Sequence, residues 1–151
     1  MNISGEFDVD ADPLLVWGVV MDPDTLCRLA TTCTGARQID ETHWVGTIQT
    51  RVTLITVTAQ IWGELIEAVE PERLLIAFKG ETRGLPGSLH GTALLNLGST
   101  GCATRGRYTI EMDVLGKLGS LGQPLFQMTA QRLARGFAAK VSDYLIGQSN
   151  T

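Results

Sequence analysis

Between Gly116 and Pro124 the run Gly-Lys-Leu-Gly-Ser-Leu-Gly-Gln-Pro separates two kinds of periodicity, and this separation limits the possible folds more than any other feature. Beyond it, Phe126, Ala130, Leu133, Phe137, Val141 and Tyr144 recur at spacings of three and four. That pattern predicts one amphipathic helix of roughly six turns over about 125–146. Before it, from about Arg37 to Val114, the period is two, as in strands. A long helix that follows many strands must lay its apolar stripe on their sheet. If the sheet is strongly curved, the space between them is either a core or a pocket, and which one it is decides the function.

The first third of the chain supplies the remaining elements. Ile3, Phe7 and Val9 alternate with polar neighbours and predict a first strand. Asp12-Pro13 and Asp22-Pro23 each place an N-cap acceptor before a proline at the first helical position, where its missing N–H costs nothing. They predict two short helices that cap one end of the sheet. Strands are then expected over 36–40, 43–50, 54–67, 74–79, 88–96 and 104–113, with a bend at Gly63. In the last of them Arg105, Arg107, Thr109, Glu111 and Asp113 face water, while Gly106, Tyr108, Ile110 and Met112 face a covered side. Short turns make the sheet antiparallel. The expected fold is α+β: a helix grip in which a curved sheet of about seven strands wraps the C-terminal helix, as a single domain over 1–151.

Composition narrows the function classes. A net charge of −4 offers no basic stripe for phosphates, so nucleic acid is not an expected partner. The N-terminus lacks the basic and apolar regions of a signal peptide, and no apolar run approaches the roughly 18 residues of a membrane span, so the expected location is cytoplasmic. Cys27, Cys33 and Cys102 lack zinc-site spacing and are expected as reduced thiols in or near the core. There is no nucleophile elbow, metalloprotease helix, phosphate loop or dinucleotide fingerprint. Gly116-Lys117-Leu118-Gly119-Ser120 loosely resembles a phosphate loop, but backbone freedom at a tight strand-to-helix transition explains its glycines better. No metal, cofactor or catalytic constellation is expected. Glu111 and Asp113 are solvated on the wet face, and Arg83, Arg105, Arg107 and Lys117 add positive charge near one end.

Several stretches together resemble the SRPBCC (START-like, Bet v 1-like) superfamily, and within it the family of the carbon monoxide dehydrogenase G subunit. They are Gly5-Glu6-Phe7, Pro13-Leu14-Leu15-Val16-Trp17, Met21-Asp22-Pro23-Asp24-Thr25-Leu26, Trp62-Gly63-Glu64-Leu65, Glu70-Pro71-Glu72-Arg73 and, most specifically, Leu115-Gly116-Lys117-Leu118-Gly119-Ser120-Leu121-Gly122. Thr31-Thr32-Cys33 stands where the family usually has Pro-Gly-Cys. The resemblance implies an internal cavity for a hydrophobic ligand such as a lipid or quinone, and an accessory role beside a molybdenum hydroxylase of the carbon monoxide dehydrogenase type. Many members carry a tail beyond the C-terminal helix that is thought to contact membrane. This chain stops at Thr151, so the resemblance gives only weak support to peripheral membrane contact.

The residues expected to line the cavity are Trp62, Phe78, Tyr108, Ile110 and Met112 on strands, Phe126, Ala130, Leu133 and Phe137 on the helix, and His90, turned inward to meet a ligand carbonyl. One helix cannot fill the interior of a strongly curved sheet, and Ala134, Gly136, Ala138 and Ala139 keep its surface slim. Binding without catalysis is therefore the expected function. An enzyme of the cyclase or aromatase kind, with His90 or Tyr108 as acid–base group, would instead need at least two polar side chains converging in the pocket. A pure protein-interaction protein would have a filled interior and an exposed apolar patch.

Overall fold

The two Asp-Pro pairs start helices where the sequence places them. In the computed structural model, which describes residues 1–149, strand β1 (Asn2–Val9) leads into helices α1 (Pro13–Val20) and α2 (Pro23–Leu29). Asp12 Oδ1 accepts from Leu14 N and Asp22 Oδ1 from Asp24 N, satisfying N–H groups that an α-helix leaves free. Six strands follow: β2 (Cys33–Gln38), β3 (His43–Val52), β4 (Ile55–Val69), β5 (Arg73–Arg83), β6 (Gly87–Thr100) and β7 (Ala103–Gly116). A 3-10 turn (Lys117–Leu121) then opens helix α3 (Gln123–Ser149). Gly116 and Gly122 bracket that turn with φ of 80° and 81°, so the glycine run supplies left-handed backbone at the strand-to-helix transition.

The sheet is antiparallel throughout, in the order β1-β7-β6-β5-β4-β3-β2. Its elements run longer than the sequence periodicity suggested, and the β3–β4 turn at Thr53-Leu54 contains no glycine, Thr53 itself taking a φ of 58°. The irregularity in β4 falls at Leu65–Glu67 and not at Gly63. Gly63 has a different use: Trp44, its partner on β3, lies so close that any Cβ there would strike the indole.

Helix α3 runs along the edge strand β1 and packs on it more than on any other element. Gln123 Nε2 donates to Asn2 O, and the Gln127 amide both accepts from Ser4 N and donates to Ser4 O. Ser142 Oγ accepts from Asp10 N further along. These bonds satisfy backbone groups that an edge strand would otherwise leave open.

Apart from Ile3 of β1, which is 2% exposed opposite Ile110, the fully buried apolar residues gather at the two ends of α3. Val9, Val16, Trp17, Leu97, Val141 and Leu145 pack at its C-terminal end, with Thr104 Oγ1 donating to Ala11 O beside them. Val52, Val57 and Leu118 pack at the other end with Leu89, Leu121, Leu125 and Phe126.

Candidate functional site

Register places every strand residue on one face or the other. Ile3, Gly5 and Phe7 of β1 oppose Ile110, Tyr108 and Gly106 of β7, and α3 covers this side. Following the pairs across the sheet, the concave face carries Tyr108, Ile110 and Met112, then Ala93 and Leu95, then Leu74, Ile76 and Phe78, then Ile61 and Leu65, and finally Trp44 and Ile48. All are apolar but the tyrosine, and Tyr108 is the single ionisable side chain on that face. Yet they are only half buried, although they point inward between two closed clusters. Side chains in a filled interior would be close-packed and covered. The middle of the grip is therefore open.

A groove lies where β2 runs out. β2 pairs with β3 no further than Cys33 opposite Ile48, so the next residues of β3 have no strand beyond them. Gln49 N donates to Thr32 O, and Arg132 Nη2 of α3 reaches across to Arg51 O at 3.3 Å. This groove lies between them and has a volume of about 670 Å³. Its walls are Leu133, Ala134, Gly136 and Phe137 of α3, Gln49–Arg51 of β3, and Ala30–Thr32. This falls within the ~300–1,000 Å³ of small-molecule sites. Apart from Arg132 the lining is apolar on the helix, and it is polar at the rim.

Phe78, Tyr108, Ile110 and Met112 thus face the concavity as expected, with Ala130, Leu133 and Phe137 half-buried on the helix. Three expectations need correction. Trp62 pairs with Lys79 on the outer face, where the Lys79 ammonium sits 5.9 Å from the indole centroid. His90 also faces outward, 61% exposed and 3.3 Å from Asp113. Phe126 packs into the Val52–Val57–Leu118 cluster and helps close that end. Trp44 was missed. Its signal was its alternation with His43, whose ring lies 2.9 Å from Asp40 on the wet side.

The thiol expectation is also overturned. Cys27 and Cys33 form a disulfide that joins α2 to β2 and encloses the rim residues Ala30–Thr32, while the free Cys102 is exposed in the β6–β7 turn. Nor do the cations gather at one end. Arg105 pairs with Asp8 at 3.1 Å and with Glu6, and Arg107 pairs with Glu6, at the end of β7 far from Lys117. Among the described residues no His, Cys, Asp and Glu cluster is placed to hold a metal ion. No described helix is long and apolar enough to cross a membrane.

The model of one protein family, the carbon monoxide dehydrogenase G subunit (CoxG), matches residues 5–146. Among solved structures, a conserved protein from Geobacillus kaustophilus superposes with a TM-score of 0.86 at 21% identity, over 97% of this chain and 96% of that one. A START superfamily protein from Mycobacterium smegmatis gives 0.75 at 9% identity, over 97% and 98%. The ZhuI aromatase/cyclase from Streptomyces sp. R1128 gives 0.61 at 13% identity, over 95% and 92%. At such identities these structures establish a common START-like fold. No curated protein matches the chain in sequence.

Proposed function

Since the chain belongs to the CoxG family, that of the carbon monoxide dehydrogenase G subunit, we propose that it holds a hydrophobic small molecule, a lipid or quinone, inside the helix grip. In this reading it serves a molybdenum hydroxylase of the carbon monoxide dehydrogenase type as a carrier. The observation that carries the proposal is the half-buried middle of the concave face. Residues from Trp44 through Phe78 to Ile110 point inward and keep free surface, and a groove lies beside Leu133 and Phe137. Filling that surface with an apolar ligand gains about 25 cal/mol per Å² removed from water.

The same interior weighs on the rival readings. A cyclase-type enzyme needs at least two polar groups converging on its substrate; the concave face offers only Tyr108 as an ionisable group, and the polar side chains of the groove, Gln49, Thr50, Arg51 and Arg132, are the ones such an enzyme would have to use. A pure interaction protein would have its interior filled. Native mass spectrometry after gentle purification tests carriage. The expected result is a bound lipid or quinone, and micromolar binding of added quinone. A chain that carries nothing and binds neither lipid nor quinone at micromolar concentration would refute it.

A further inference from the structure

The groove beside β3 is lined by two cations, Arg51 from β3 and Arg132 from α3, and by no aspartate or glutamate among the described residues. At the far end of β7, Arg105 and Arg107 are tied to Glu6 and Asp8. The two arginines of the groove have no such acid among the described residues. Arg132 is held instead by a backbone carbonyl, Nη2 donating to Arg51 O, which leaves the rest of its planar fork without a protein acceptor. The backbone adds another donor. Peptide groups of an antiparallel strand turn to its two neighbours alternately. Gln49 N donates away from β4, to Thr32 O, so Arg51 N, two residues on, points to the same side, where β2 has ended. No acceptor among the described residues meets it. The helix wall facing these donors is apolar, with Leu133, Ala134 and Phe137. Gly136 stands among them, and beyond the helix's own backbone no atom comes within 4 Å of the place a Cβ would take. No contact demands a glycine there, and glycine inside a helix is destabilising; its effect is to leave the groove wide.

We propose that this groove takes a single-chain anionic amphiphile, a long-chain carboxylate or phosphate monoester. Its head accepts from the Arg132 guanidinium and Arg51 N, with the Arg51 charge beside them, and its chain lies on Leu133, Ala134 and Phe137. A neutral hydrocarbon would leave the cations unanswered, and a small anion would leave the helix wall in water. The inference rests on the reading of the protein as a carrier of apolar molecules and gives the ligand an acidic head.

The test titrates the full chain with decanoate, decyl phosphate and 1-decanol, and with 2-methyl-1,4-naphthoquinone as a neutral ligand without a chain. At least one of the two acids should bind about tenfold more tightly than the alcohol, the worth of a charge-assisted bond, and the tighter acid names the head. Inorganic phosphate at equal concentration should displace neither. Arg132→Gln should remove most of that tenfold preference and leave 1-decanol unchanged, and Arg51→Gln should remove less, because its N–H stays. Arg135→Gln, exposed on α3 and outside the groove lining, should change nothing. Gly136→Leu should weaken acids and alcohol alike by filling the groove, without lowering the thermal midpoint. If acids and alcohol bind the parent equally, if Arg132→Gln acts no differently from Arg135→Gln, or if inorganic phosphate competes, the inference is overturned. If the quinone binds and no decyl probe does, it falls while the carrier reading stands. If nothing binds, both fall.

Discussion

The two ends of α3 and its middle face the same sheet and are packed in opposite ways. At the ends, branched aliphatic side chains from three or four elements close on one another: Val141 and Leu145 on Val9, Val16 and Leu97, and Phe126 on Val52, Val57 and Leu118. In the middle, Ala130, Leu133 and Ala134 of the helix and Tyr108, Ile110 and Phe78 of the concave face are all only half buried. The hydrophobic residues needed for stability are thus separated from those available to a guest. A grip stabilised at its ends can leave its middle less tightly packed, because each end buries apolar surface that holds the helix in place.

Truncation at each place measures this division. Leu145→Ala, at 6% exposure within the C-terminal cluster, should cost about 3 kcal/mol, since it removes buried methyls and leaves a cavity. Leu133→Ala, half-buried in the groove wall, should cost at most about 1 kcal/mol and instead weaken quinone binding. Equal costs in urea denaturation would mean that the middle is as filled as the ends.

The next effect concerns the rim. Replacing both Cys27 and Cys33 by serine opens the loop that holds Ala30–Thr32, and should cost about 2 kcal/mol through the freed unfolded chain. A dithiol reductant should reproduce that loss in the parent and leave the double variant unchanged. If reductant has no effect on the parent's denaturation curve, the rim is not held covalently.

Two titrations give smaller signals. Burial raises the Tyr108 phenol above its ordinary value of 10. Below pH 10 it is protonated in both folded and unfolded chains and contributes nothing to pH dependence. Above 10 the unfolded phenol ionises first, so stability falls as pH rises toward the folded value. Absorbance titration should show this phenolate appearing late, and an ordinary midpoint would place the hydroxyl in water. In the β2–β3 turn, the Thr42 N–H and His43 hold Asp40 down at about 2. Its contribution is present above the ordinary 3.8 and lost as pH falls through about 2. Carbon NMR of the carboxyl should find that midpoint, and a value near 3.8 would break the turn contacts.

How much of this could be read from the chain varied with the kind of residue. The helix after the glycine run, the two Asp-Pro starts and the antiparallel order were legible because each follows from local periodicity or capping chemistry. Strand β7 was legible face by face, since Arg105, Arg107, Glu111 and Asp113 cannot be turned inward without losing their water. Strands β4 and β6 gave no such sign. Trp62 and Gly63, or His90 and Gly91, differ in size and not in charge, so alternation pairs them without saying which side is concave.

The sequence by itself determined the elements, their order, and which residues share a face, because these depend on neighbours within a few positions. Tertiary structure decided which face curls around α3, and so sent Trp62 and His90 outward and brought Trp44 in. It also decided that β2 stops at Cys33 and leaves a mouth beside β3, and that Cys27 and Cys33 meet at its rim. Those outcomes depend on the coiling of the whole sheet and on where the helix settles against one edge, which no local pattern encodes.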